Sequence, residues 1–137
     1  MAGLNIDEYL ARPLLADLAT VKADGSPHVA PVWFQYQDGQ IRIVAQTNSV
    51  KIRNILHEPR VSLSVAIHER PYKYVLINGT AELSKEDIPE LTRSLAIRYQ
   101  GEQEGNEYAD RVLVADVLLP HHHHANQDYQ LGRRRLG

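Results

Sequence analysis

The sequence predicts a single, mainly β domain with peripheral helices, and three observations carry that expectation. Two Asp-Gly pairs, Asp24-Gly25 and Asp38-Gly39, fall between β-rich segments, and these residue types tolerate the positive φ that tight hairpin turns need. From Val61 to Ile67 apolar residues alternate with small or polar ones, which is the period of a half-buried strand. Helical spacing is confined to short stretches near the amino terminus, around Ile52 and around Leu91.

Taken in order, Asn5 and Glu8 have capping-box spacing and open a short helix, Ile6 to Ala11, which Pro13 closes. Leu14 to Lys22, Pro27 to Tyr36 and Gln40 to Gln46 read as strands joined by the two Asp-Gly turns, so the amino-terminal half is expected to be an antiparallel meander. From Ser49 to His57 the apolar residues Ile52, Ile55 and Leu56 form a helical stripe, with Lys51 and Asn54 on the opposite side. Pro59 ends that helix, and the alternating strand from Val61 to Ile67 follows. Tyr72 to Leu83 is a further strand, rich in aromatic and β-branched residues. Asp87 and Glu90 bracket Pro89 as a capping box, Ile88, Leu91, Leu95 and Ala96 supply the apolar face of a helix, and Gly101 stops it. A last strand is expected over Arg111 to Leu119. The domain is expected to span residues 1–120, and a polar tail residues 121–137.

The composition excludes several kinds of chemistry. The chain has 137 residues, a net charge of -2 and no cysteine, so disulfides, thiolate metal sites and thiol catalysis are absent. A domain of this length buries roughly two thirds of its unfolded surface, enough for a core without covalent staples. Met1 to Arg12 lacks the basic-then-apolar order of a secretory leader, and no apolar run approaches the ~18 residues that span a bilayer. A cytoplasmic protein is expected. Charge is unevenly placed, with eight acids against three bases between Glu82 and Asp110, whereas Lys51 to Arg60 has three bases against one acid. That pattern argues against a nucleic-acid partner, which calls for a broad basic stripe, and leaves room for a single phosphate.

Two constellations offer chemistry. Pro31 interrupts the strand His28 to Tyr36; lacking an N–H, it requires an edge or a bulge there. It either protects an edge or leaves neighbouring backbone groups facing a ligand. Trp33 is the only tryptophan and adjoins the break, either as a core or interface aromatic or as the flank of a planar ring. The second constellation is Thr47-Asn48-Ser49-Val50-Lys51, where a strand delivers hydroxyls to a helix start. Free N–H groups, the helix dipole and the Lys51 charge would cradle a phosphate; alternatively Ser49 is a simple cap and Lys51 a solvated cation. The glycines of a nucleotide-binding P-loop are missing. No Ser-His-Asp order or metal signature is present, and His28, His57 and His68 are scattered.

The ordered series Leu18-Ala-Thr-Val, Asp24-Gly25, Pro27-His-Val, Pro31-Val-Trp-Phe34, Asp38-Gly39, Thr47, Ser49, Lys51, Arg53-Asn-Ile55, Pro59-Arg-Val-Ser62, Pro71-Tyr72 and Gly79-Thr-Ala-Glu82 resembles the pyridoxamine-phosphate-oxidase-like FMN-binding split-barrel family. It is most similar to the branch of small flavin- or deazaflavin-dependent oxidoreductases, over roughly Leu14 to Asp110. The resemblance implies a six-stranded antiparallel split β-barrel that forms a homodimer with cofactor sites at the subunit interface. It implies that Ala30, Pro31, Val32, Trp33 and Phe34 run along the cofactor ring, that Thr47, Ser49, Lys51 and Asn54 hold its phosphate, and that Tyr72 and Tyr74 approach from the partner subunit.

The implied cofactor is FMN or coenzyme F420, and the implied reaction is hydride transfer to or from a small organic substrate, chemistry that the cofactor itself carries. The oligoglutamate of F420 calls for extra cations. Lys51 and Arg53 are few, with Arg133, Arg134 and Arg135 in reserve; charge therefore favours FMN, while the family branch favours F420. Oxidation of pyridoxamine phosphate itself is not expected, because the carboxy-terminal substrate segment of the true oxidases has no counterpart. A non-catalytic flavin-, haem- or tetrapyrrole-binding module on the same barrel is the alternative. His121 to His124 is expected to be surface tail rather than a metal site, since successive side chains of an extended chain point to opposite faces.

Overall fold

The computed structural model describes residues 5–118, 126–131 and 135–136. It opens with helix α1, Ile6–Leu10, where the Asn5 side chain accepts a hydrogen bond from the Glu8 N–H at 3.2 Å, the expected cap. Strands β1 (Ala16–Val21) and β2 (Pro27–Val32) form one antiparallel hairpin, and β3 (Gln35–Gln37) and β4 (Gln40–Gln46) form a second. Asp38 and Gly39 both have positive φ, 53° and 77°, so the second hairpin closes in the two-residue turn that matches strand twist. Helix α2 (Val50–His57), β5 (Arg60–Ile67), β6 (Lys73–Ser84) and α3 (Ile88–Gln100) follow.

The segment expected as a last strand is instead part of helix α4, Glu102–Leu118. Its β-branched residues suggested extended chain, but Gly105 lets α4 lie directly on α3. A Cβ at that position would come within 2.5 Å of the Ile97 nitrogen and 2.6 Å of the Ala96 carbonyl carbon. Tertiary packing thus overrides a weak local preference. Residues 126–131, assigned by sequence to a polar tail, form strand β7 (Asn126–Leu131), and Arg135–Leu136 forms β8. His121 to His124, Arg133 and Arg134 lie outside the described residues.

Among the described residues, the sheet has eight strands rather than six. Its order is β2-β1-β5-β6-β7-β4-β3, with β8 on β6, and every pairing is antiparallel. β6 changes partner along its length: Lys73–Thr80 pairs with β5, and Ala81–Ser84 with β7. The hydrogen-bonded path is not closed. Its two ends, β2 and β3, are the two halves of the single strand expected over Pro27 to Tyr36, interrupted at Trp33 and Phe34. The two hairpins are therefore consecutive in sequence but stand at opposite ends of the path, rather than side by side as in a meander. Pro31 lies in an edge strand, the place in a sheet where a missing N–H is tolerated.

Alternation builds the core. Val61, Leu63 and Val65 of β5 face inward with Leu18, Ile41, Ile43, Phe34 and Ile77, all nearly inaccessible. Helix α2 is turned from the expected orientation: Ile52 and Ile55 are buried, but Leu56 is 71% exposed and Asn54 is buried in its place. The Asn54 amide donates to Thr20 Oγ1 on β1 at 2.9 Å, which offsets the cost of burying it. The capping box expected before α3 does not form, because Asp87 adopts a left-handed φ of 57° and its side chain makes no cap bond. Gly101 ends α3 as expected, with φ 88°.

Arg98 of α3 ties the end of α1 to the break between β2 and β3. It donates to the carbonyls of Leu10 (3.0 Å), Ala11 (2.8 Å) and Arg12 (2.5 Å), satisfying the end of α1. Its guanidinium also lies 5.2 Å from the centre of the Phe34 ring. Among the described residues, no helix is long and apolar enough to cross a membrane.

Candidate functional site

The break between β2 and β3 opens onto a cleft of about 560 Å3. One wall is Pro31, Val32 and Trp33, the floor is Val44, Ala45 and Gln46 of β4, and Ser49 and Lys51 stand at the start of α2. The facing wall comes from Thr92 and Leu95 of α3 and Tyr108 and Val112 of α4, with Leu15 at the margin.

The chain positions each part for a local reason. Where the ladder stops, the Phe34 N–H has no strand partner and donates instead to the Tyr99 hydroxyl at 3.0 Å. That hydroxyl donates in turn to the Leu14 carbonyl at 2.7 Å. The Tyr99 ring stacks on Trp33, with 5.1 Å between centroids and 6° between planes, and Tyr108 meets the indole edge-on at 5.8 Å and 61°. Trp33 is thereby held by aromatic contacts from both α3 and α4.

At the other end of the cleft, Ser49 is the N-cap residue of α2 but its side chain makes no cap bond. Its Oγ is buried without a hydrogen-bond partner among the described residues. The first intrahelical bond runs from the Arg53 N–H to the Ser49 carbonyl at 3.2 Å, which leaves the amides of the first turn without intrahelical acceptors. Lys51 is half-buried, and burial lowers the pKa of its ammonium from the ordinary value of 10.5. Thr92, 6% exposed, also carries an Oγ1 without a partner. Among the described residues, no aspartate or glutamate lines the cleft. Two unpaired hydroxyls, a cation and free helix amides form a donor set for an anion, and the aromatic wall suits a planar ring. The residues fit a phosphorylated ring cofactor.

A larger groove of about 710 Å3 lies along β1, β5 and β6. Several of its polar side chains are paired: Ser62 Oγ donates to Asn78 Oδ1 at 2.5 Å, and Arg60 pairs with Glu58 at 2.6 Å. Among the described residues, none of its lining side chains carries a buried polar atom without a partner.

Of the residues expected in the site, Pro31, Val32, Trp33, Ser49 and Lys51 come together in this cleft. Phe34 is fully buried and Ala30 half-buried beside the break, and Thr47 is half-buried just before α2. Asn54 faces Thr20 in the interior rather than the cleft. Tyr72 and Tyr74 are exposed, 69% and 66%, away from this chain's own cleft. The sequence reading missed Thr92, Leu95, Tyr99, Tyr108 and Val112. Tyr108 and Val112 carry the i, i+4 spacing of one helix face, a signal hidden by reading Arg111 to Leu119 as a strand. Among the described residues, no group of three His, Asp or Glu side chains could hold a metal.

The family model described as pyridoxamine 5'-phosphate oxidase matches residues 5–118. No curated protein matches the sequence. Among solved structures, an F420 reductase is 26% identical, with a TM-score of 0.73 over 99% of this chain and 97% of that one. A conserved hypothetical protein of Mycobacterium tuberculosis is 23% identical, with a TM-score of 0.72 over 98% of this chain and 82% of that one. HutZ, the heme storage protein of Vibrio cholerae, is 20% identical, with a TM-score of 0.63 over 96% of this chain and 89% of that one. The last two likenesses are of fold alone. A match that spans most of the residues, from the α1 cap to the end of α4, shows that the chain belongs to the pyridoxamine 5'-phosphate oxidase family.

Proposed function

We propose that this protein is an oxidoreductase that binds FMN or F420 in the cleft beside Trp33 and acts on a small organic substrate. The observation that carries the reading is the juxtaposition of Lys51 and the unpaired Ser49 hydroxyl with an acid-free, aromatic-walled cleft. Likeness to an F420 reductase supports it. Ser49, Lys51 and the first-turn amides of α2 bind the phosphate, and the Lys51 charge anchors it. The Pro31–Trp33 wall orients the ring, and the apolar side chains Leu95 and Val112 exclude water. When bound, the cofactor supplies hydride transfer.

A second copy of the chain completes the site in this reading. Leu15, at the cleft margin, is 58% exposed. Outside the cleft, Val29, Leu56, Tyr72 and Tyr74 are exposed large hydrophobic residues, which a homodimer would cover.

Absorption spectra of the purified protein with each candidate cofactor, before and after a reductant, test the reading. A flavin or deazaflavin band that bleaches on reduction and returns with an added acceptor is expected, together with quenching of Trp33, the only tryptophan. A Soret band with haem and no flavin binding would replace it with the haem-binding module. Light scattering of the loaded protein tests the dimer; a monomer carrying one cofactor would sink that part.

A further inference from the structure

We propose that Thr92, on the inward face of α3, is a third ligand of the cleft's anion, donating its hydroxyl to the phosphoryl group that Ser49 and Lys51 also bind. The identity of the ligand rests on the cofactor reading above; the existence of a three-residue anion site does not. Thr92 is 6% exposed, and its Oγ1 is buried with no hydrogen-bond partner among the described residues. A helical threonine has an ordinary remedy, donation to the carbonyl four residues back, and valine would fill nearly the same space with no polar atom. Neither remedy is used. Two other hydroxyls of the core, those of Thr20 and Tyr9, are paired, with Asn54 at 2.9 Å and with the Val65 carbonyl at 2.8 Å, so this protein does satisfy buried hydroxyls where no ligand is at stake.

Thr92, which carries the unspent hydroxyl, lines the same cleft as Ser49 and Lys51. A cation and two hydroxyls from two helices, with no carboxylate among the described lining residues, call for an anion with several acceptor oxygens. A neutral carbonyl would satisfy one hydroxyl and leave the half-buried ammonium uncompensated, whereas a phosphoryl group accepts from all three. Such a contact makes α3 part of the binding site, and α4, packed on it through Gly105, is held in place with it.

Calorimetric titration of the wild type, Thr92→Val and Thr92→Ser with FMN, riboflavin, F420 and pyrophosphate tests this. Thr92→Val is expected to weaken the phosphorylated cofactor and pyrophosphate about tenfold, the loss of one hydrogen bond to a charged group. Riboflavin should bind it as it binds the wild type, and Thr92→Ser should restore the phosphate-dependent affinity. Equal loss of FMN and riboflavin, or no loss of any phosphorylated ligand, overturns the proposal. Pyrophosphate binding that depends on Thr92, with no binding of FMN or F420, keeps the anion site and overturns the cofactor reading. A wild type that binds none of the four overturns both. Thr92→Ala replaces the valine variant should the latter fail to fold.

Discussion

The Tyr99 ring stacks on the Trp33 indole while its hydroxyl holds the backbone of the next residue, Phe34, so one side chain fixes both the ring and the chain at the point where the strand breaks. Tyr99→Phe keeps the stack and removes the hydroxyl, leaving the Phe34 N–H without its partner. A loss of about 1–3 kcal/mol is expected, read as a lower urea midpoint. Tyr99→Leu also removes stacking, for about 0.5–1.5 kcal/mol more, and should shift Trp33 emission, which Tyr99→Phe should leave nearly in place.

Lys51 sets a pH dependence whose sign follows from its burial. Burial depresses its pKa below 10.5, whereas the bound phosphate requires the ammonium form. Affinity should be full below the depressed pKa and fall as pH rises through it. Binding raises the pKa again, so complex formation takes up a proton on the alkaline side, measurable by calorimetry in buffers of different ionisation enthalpy. Without ligand the sign reverses: the unfolded chain holds this proton more tightly, so stability rises with pH between the depressed and ordinary values. Lys51→Ala should abolish the proton uptake and weaken binding about tenfold or more.

Gly105→Ala places a methyl within 2.5 Å of the Ile97 nitrogen, a backbone contact that no rotamer change relieves. Overpacking of this kind costs about 1–3 kcal/mol. Thermal melts should show the loss, and the variant should also lose the Tyr108 edge contact with Trp33, visible as altered emission before any melting.

Asn54→Ala separates two roles. The family resemblance implies Asn54 among the phosphate ligands, and the structure places its amide on Thr20. The variant should lose about 1–3 kcal/mol of stability through the stranded Thr20 hydroxyl, while the folded protein binds cofactor within about twofold of the wild type, a change well under 1 kcal/mol. A large affinity loss with unchanged stability would return Asn54 to the site.

Local signals carried far in this chain where they were periodic or conformationally strict. The alternation from Val61 to Ile67, the Asp38-Gly39 turn and the Gly101 stop each have one physical solution, and each appears as expected. The ambiguous segments were those decided by distant partners. Leu56 rather than Asn54 looks like the buried residue of α2 until Thr20 is placed opposite. Arg111 to Leu119 reads as strand until Gly105 is seen to lock helix α4 onto α3. In the site, residues next to an interruption or a helix start were legible because a missing N–H or a free helix end is a property of the sequence itself. Thr92 and Tyr108 were not, since nothing local shows that two later helices would roof a cleft opened by an earlier strand.

The two ends of the sheet are joined through only Trp33 and Phe34, so the open strand path is a hoop fastened by a two-residue clasp. Strain that spreads the hoop concentrates at that clasp, where Tyr99 is the latch. A molecule gripped between the clasp and the helices opposite would shut it, and the same grip that selects the ligand would then set how far the whole wall can breathe.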